Sequence, residues 1–386
     1  MHALPTHLAS GRPITIPRST DVRDLPTSVG LKRTVATPVH RVMRRAWPCP
    51  NPCTLPYSEG IPSNKEVLMH AFRRVLTIAV PLTLAGVTLA APGVASADAS
   101  ASAHQVAVSI MKPYRGGSTQ AATTAVPMTY HGGTGGIGVE TAPRVYLVLW
   151  GSQWASDPSG EASILNSLYA NVGGSNWNSS VTQYCQGVAI GTATCGASGT
   201  HVTNPAGMLT GTWSDKSVAA ARHPTQSQLA AEAVKAASHF GNTTAASNAS
   251  VQYVVATPHG YSSSGFGTQY CAWHSSTSST YGNIAYSNLP YITDAGASCG
   301  ANFNRLGANA GITIVAGHEL AETETDQFPS SGWIDNAGAE NGDKCAWISS
   351  GQGAAAIEAL GSAVLPMQSL WSNAFNGDAG GCVQSS

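Results

Sequence analysis

GITIVAGHELAETETDQFPSSGWIDNAGAENGDKCAW, residues 311–347, is the stretch around which the chain is organised, and its centre is His318-Glu319-Leu320-Ala321-Glu322. A helix turns by about 100° per residue, so His318 and Glu322 project from one face a turn apart while Glu319 points to one side. Ile314 and Val315 precede His318 by four and three residues, and they continue that face as an apolar stripe. A histidine and a carboxylate on a buried face need a partner. A lone ionised carboxylate there is costly unless it is hydrogen-bonded, paired or bound to a metal.

Metal is the sharper reading. In the H-E-x-x-H pattern two histidines hold zinc and the glutamate after the first acts as general base. Here the second histidine is replaced by Glu322. A carboxylate binds zinc at about 2.0–2.2 Å, so the position can still ligate. A second anionic ligand weakens the ion as a Lewis acid, however, and moves preference towards harder ions such as calcium or manganese. The third ligand has to come from downstream, where Asp326, Asp335, Glu340 and Asp343 are available. A downstream glutamate completes the zinc site of thermolysin-like enzymes, which favours Glu340 or Asp343. The competing reading has His318 and Glu322 hydrogen-bonded to each other and to buried backbone, with the other acids on a solvated face.

The usable chain is shorter than its 386 residues. Residues 69–97 carry Arg73 and Arg74, an apolar run from Val75 to about Ala91, and Ala95-Ser96-Ala97, the layout of a secretory signal peptide cleaved after Ala97. Pro81 and Gly86 interrupt the run, which argues against a membrane anchor. Residues 1–68 read as a mis-called or disordered N-terminal extension. After Ala97 there remain 8 Lys/Arg against 16 Asp/Glu, so no basic patch for nucleic acid or an anionic membrane is expected. Six of the eight cysteines also lie there: Cys185, Cys195, Cys271, Cys299, Cys345 and Cys382. An even count behind a secretory signal reads as disulfides, and pairing of neighbours in sequence is the simplest arrangement.

Residues 98–128, poor in charge, read as a flexible linker or propeptide. Arg144 to Trp150 has the length and composition of a central strand, and Gly160 to Val172 has helical apolar spacing closed by Gly173-Gly174. The stretch from Ser175 to Asp215 reads as short strands and loops tied by Cys185 and Cys195. Thr225 and Gln228 form a capping box in front of a helix to Phe240, and Val251 to Ala256 follows as a second buried strand. This strand, helix, strand order predicts one compact α/β domain with a mixed sheet over about 129–386, disulfide-stapled around a zincin-like helix. His259, at the end of the second strand under a Ser/Gly-rich loop from Tyr261 to Tyr270, and His274 are candidates to orient substrate or stabilise an oxyanion. Ile284 to Leu289 reads as a short strand, and Ala354 to Leu365 as an Ala-rich helix.

Tyr130-His131-Gly132-Gly133, the Val145 to Trp150 strand, Cys271-Ala-Trp-His274, Cys299, His318-Glu-Leu-Ala-Glu322 and Gly342-Asp343-x-Cys345 occur in the order seen in the exordium, or phosphate-induced protein, family. Over about residues 129–347 the chain resembles a distant bacterial-type member of that secreted family. The resemblance implies an extracellular protein with His318, Glu319, Glu322 and Asp343 in one site. Plant members are associated with the cell wall and growth. It does not supply a biochemical activity.

Two functions follow as expectations. One is a secreted, monomeric metallopeptidase in which His318, Glu322 and Glu340 or Asp343 hold zinc, with calcium as the alternative ion, and Glu319 is the base. Its substrate would be an extracellular peptide or cell-wall component. The other is a non-catalytic protein that binds cell-wall polysaccharide, with the acidic cluster serving as a structural metal site or a hydrogen-bonded core.

Overall fold

The computed structural model describes residues 107–116 and 126–385; the expected extension and signal peptide lie outside the described residues. In chain order the principal elements are β1 (Val108–Met111), β2 (Arg144–Trp150), α1 (Glu161–Val172), β3 (Leu209–Asp215), α2 (Gln226–His239), β4 (Val251–Ala256), β5 (Ala272–Ser279), β6 (Gly282–Leu289), α3 (Ala310–Thr325), β7 (Ala356–Leu360), β8 (Ala363–Met367), β9 (Leu370–Ser372) and β10 (Gly381–Val383).

The first six strands make one mixed sheet in the order β1-β5-β6-β4-β2-β3. β6, β4, β2 and β3 run parallel, β5 is antiparallel to β6, and β1 is antiparallel to β5. The central strands β2 and β4 are almost wholly buried, as a parallel sheet covered on both faces requires. Alternation along them sorts side chains by face. Tyr146, Val148, Tyr253, Val255 and Tyr286 meet Leu229, Ala233 and Ala236 of α2 on one side. Val145 and Leu147 point the other way, and with Val254, Ala272 and Leu289 they pack against Leu165 and Leu168 of α1 and against α3.

Helix α3 is buried over all 16 residues, so it is a central helix and not a surface one. The sheet covers one side of it and the β7–β8 hairpin another, where the Thr313 hydroxyl donates to the Pro366 carbonyl at 2.5 Å. At this crossing a Cβ on Gly317 would come within 2.5 Å of Met367 Cε, so the tip of the Met367 side chain would have to move aside. Disulfides join Cys185 to Cys195, Cys271 to Cys299 and Cys345 to Cys382. The second fixes the start of β5 beside the segment entering α3, and the third ties the loop after α3 to the C-terminal strand β10.

Two local expectations are corrected and a third is extended. Residues 354–365 are not a helix: β7 and β8 form an antiparallel hairpin turned at Gly361-Ser362, with Gly361 at φ 55°. Alternating burial and a Gly-containing two-residue turn outweigh the helical propensity of alanine. The flexible linker expected over 98–128 contains β1, which pairs with β5 from Val108 opposite Ser275 to Met111 opposite Ala272. The stretch from Ser175 to Asp215 contains the seven-residue strand β3, whose half-exposed position beside β2 explains its weak apolar signal.

Candidate metal centre

Three segments converge on a buried polar cluster. α3 contributes His318, Glu319 and Glu322, and the loop after it contributes Glu340 and Asp343. β5 contributes His274, which shares a sheet face with Ala272 and so points towards α3. His274, His318 and Glu322 are fully buried, and Glu319 and Glu340 are 1% exposed. Two groups have ligand-type atoms close enough for one ion: His318, Glu322 and Asp343, and His274, Glu319 and Glu322.

The tautomer of His318 is set by its neighbours. Gln368 Nε2 donates to the Gly342 carbonyl at 2.9 Å and to the Ser369 carbonyl at 3.2 Å, so its Oε1 is the atom facing His318 Nδ1 at 3.2 Å. Nδ1 therefore carries the proton and donates. Nε2 presents its lone pair to Glu322 Oε1 at 2.9 Å and to Asp343 Oδ1 at 3.8 Å. Such a lone pair facing carboxylates is unfavourable unless a proton or a cation lies between them. A histidine whose other ring N–H is held by an oxygen acceptor is the usual arrangement of a metal ligand. The Asp343 backbone N–H donates to Glu322 Oε1 at 2.9 Å, which fixes the loop against the helix.

Around these groups many polar atoms lack partners. Both ring nitrogens of His274, His318 Nε2, both oxygens of Glu319 and Glu340, and Glu322 Oε2 are buried without a hydrogen bond. Native interiors rarely leave such groups unsatisfied, and a cluster of them points to a ligand. The residues present fit a divalent cation on this ground. Burial pushes the Glu322 carboxyl up to about 8, and burial with the neighbouring Glu322 pushes Asp343 up to about 7. Glu319 and Glu340 are raised well above the usual carboxylate range, first by burial. Burial likewise lowers His274 to about 3, so it is neutral and able to ligate.

The other downstream acids have structural work. Asp326 accepts from the backbone N–H groups of Ser330, Ser331 and Gly332 and closes the turn after α3. Asp335 pairs with Lys344 Nζ at 2.8 Å and accepts from Ala337 and Ala339 N–H. Both Glu340 and Asp343 reach the cluster, Glu340 Oε1 lying 3.5 Å from His274 Nε2. His259, expected as a second candidate beside His274, is placed elsewhere. It follows the end of β4, where it binds Asp294 Oδ1 through Nδ1 at 2.5 Å and is half exposed. The Tyr261 to Tyr270 loop beside it is held by the Ser263 hydroxyl on the Pro224 carbonyl and the Tyr270 hydroxyl on the Ser263 carbonyl.

Nothing local in the sequence marks Gln368, because its role depends on the β8 hairpin packing on α3. Gly342 is visible there only as part of a motif. A Cβ at Gly342 would lie 2.8 Å from His318 Nδ1 and 2.9 Å from Glu322 Oε1. Its φ of −75° is one any residue adopts, so the requirement is for space. Gly342→Ala should therefore lower zinc affinity by about 10- to 100-fold, the range seen when the surroundings of metal ligands are disturbed. Competition titration with a chromophoric chelator measures it, and wild-type affinity in the variant would refute the close approach.

β1 and the segment after it close one side of the cluster. Met111 is fully buried, and the Lys112 carbonyl accepts from Trp347 Nε1 at 2.6 Å. A small cleft lined by Lys112, Pro113, Ala339, Asp343 and Trp347 leads from the surface to Asp343. Among the described residues no helix is long and apolar enough to cross a membrane. No family model, curated protein or solved structure matches this chain.

Proposed function

We propose that the protein is a secreted metal-dependent hydrolase acting on peptide bonds. The observation that carries this reading is His318, with Nδ1–H held by Gln368 and Nε2 turned to Glu322 and Asp343 in a site with Glu319 beside it. His318, Glu322 and Asp343 would hold a divalent ion, which supplies Lewis acidity and lowers the pKa of the attacking water. The imidazole donor favours zinc over calcium, which prefers six to eight oxygens.

Glu319 is the base. Both its oxygens lack partners, and its raised proton affinity suits a group that takes a proton from water and returns it to the leaving amine. A packing role would not require a carboxylate there. Gln368 and the Asp343 backbone N–H orient His318 and Glu322, and the closure by β1 and Trp347 limits bulk water. Three disulfides support an extracellular setting.

Glu319→Gln tests the mechanism. On zinc-loaded protein assayed with a mixture of quenched fluorescent peptides, the variant should lose turnover by about 10²- to 10⁴-fold, the usual contribution of a general base. Zinc at the His318 position should remain. Equal turnover by variant and wild type removes Glu319 as the base. Wild-type protein that takes up no zinc removes the hydrolase.

A further inference from the structure

The two groups of potential ligands are joined by one residue. Glu322 turns Oε1 to His318 Nε2 at 2.9 Å and Oε2 to His274 Nδ1 at 3.6 Å. His274 Nδ1 is also 3.4 Å from Glu319 Oε2. Tetrahedral ligands at about 2.0–2.1 Å from an ion stand about 3.3–3.4 Å from one another. The separations in both groups, 2.9 and 3.8 Å around His318 and 3.4 and 3.6 Å around His274, lie around that edge.

Charge gives an independent argument. Glu319, Glu322, Glu340 and Asp343 bring four carboxylates into the cluster, and one dication would balance two of them. The nearby Lys344 is committed to Asp335, and Lys112 acts on Asp343 from the outer side. With one ion bound, the other two acids have to stay protonated because uncompensated buried charge is strongly unfavourable, whereas a second dication lets all four ionise. His274 supplies the observation that the acids alone would not: a fully buried imidazole with no hydrogen bond of normal geometry at either nitrogen, one facing Glu319 and Glu322 and the other facing Glu340.

We propose that the centre is dinuclear. A second divalent cation is held by His274 Nδ1, Glu319 and Glu322, and Glu322 bridges the two ions with one oxygen on each. Glu340 receives the His274 Nε2–H and so plays for this histidine the part that Gln368 plays for His318. The ligand is a pair of first-row divalent ions such as zinc or manganese, at a separation of about 3.5–4 Å typical of such pairs. Glu319 binds the second ion through one oxygen and keeps the other to accept a proton. This inference rests on the assignment of His318, Glu322 and Asp343 as a metal site.

The test is metal stoichiometry of the full secreted chain, loaded with excess zinc, desalted, and measured by elemental and native mass spectrometry. Wild type should hold two zinc ions per chain and His274→Gln one. Because a buried substitution can disturb folding, cobalt-loaded wild type gives a second readout: two ions across a carboxylate bridge should show exchange coupling by electron paramagnetic resonance. Saturation of wild type at one zinc, with an uncoupled cobalt spectrum, overturns the second ion and leaves the one-ion hydrolase standing. Zero zinc in wild type overturns both.

Discussion

Stripped of divalent cations, the protein should become less stable as pH rises from about 5 to about 8, and saturating zinc should remove the part of that loss that the cluster carries. Burial raises the carboxyls of Glu319, Glu322, Glu340 and Asp343 in the folded chain, Glu322 to about 8 and Asp343 to about 7. In the unfolded chain Asp and Glu ionise near about 3.9 and 4.3. Between those values and the folded ones the native state binds more protons than the unfolded state, so stability falls with rising pH. His274 acts in the opposite sense: lowered to about 3 by burial, it stays neutral in the fold while the unfolded histidine gains a proton below about 6.5. It therefore removes stability on acidification, but within the cluster one histidine opposes four acids, and Glu140, Glu161, Glu232, Glu324 and Asp326, also raised by burial, add to the fall. A shift of one unit corresponds to about 1.4 kcal/mol, so the summed effect across the window is several kcal/mol. At about 2–4 °C per kcal/mol for a domain of this size, the melting temperature should fall by about 10 °C or more. Calorimetry of chelator-treated protein at a series of pH values measures it. A flat or rising melting temperature would mean that the acids are not held protonated in the metal-free fold.

Glu322→Gln should separate stability from metal binding. The glutamine retains an oxygen for the Asp343 backbone N–H and presents its amide N–H to His274 Nδ1, but that oxygen then faces His318 Nε2 at 2.9 Å without the proton that the carboxyl could place between them. Between pH about 5 and about 8 the metal-free variant should lose less stability than metal-free wild type, because it has no buried carboxyl to ionise at this position, by an amount on the order of 1–3 kcal/mol. Because both ion positions use Glu322, zinc uptake and peptide hydrolysis should fall below detection. Ligand sets that reduce the stability of the free protein are common at functional sites. A variant that still binds zinc at wild-type strength would exclude Glu322 from the ligand set, whatever its melting temperature.

The parts of this site that are local are legible in the sequence. His318 and Glu322 fall on one helical face by spacing alone, and the capping box at Thr225 and Gln228 marks the start of α2, where both reciprocal hydrogen bonds form. β2 and β4 are readable because their burial on both faces leaves continuous apolar runs. What depends on long-range packing is not. His259 and His274 look alike as single histidines at strand ends, and only the antiparallel placement of β5 between β1 and β6 turns His274 to α3 while His259 remains outside with Asp294. Glu340 and Asp343 compete in the sequence because a one-ion site needs a single third ligand. In the fold both enter the cluster, Glu340 on the His274 side and Asp343 on the His318 side. The tail reads as a helix only while its alanine content outweighs the Gly361-Ser362 turn and the alternation around it.

The strand β1 has a consequence for processing of the N-terminus. It is joined to the sheet through β5 alone, by four register pairs, and it occupies the outer margin beside His274. Proteolysis before Val108 leaves that margin covered. Cleavage after Met111 would free β1, and the backbone N–H and C=O groups of β5 would then face solvent as an unpaired sheet edge. Such an edge is a template for pairing with another chain. Trimming that ran a few residues past Val108 would thus turn a covered sheet margin into one open to pairing with another chain.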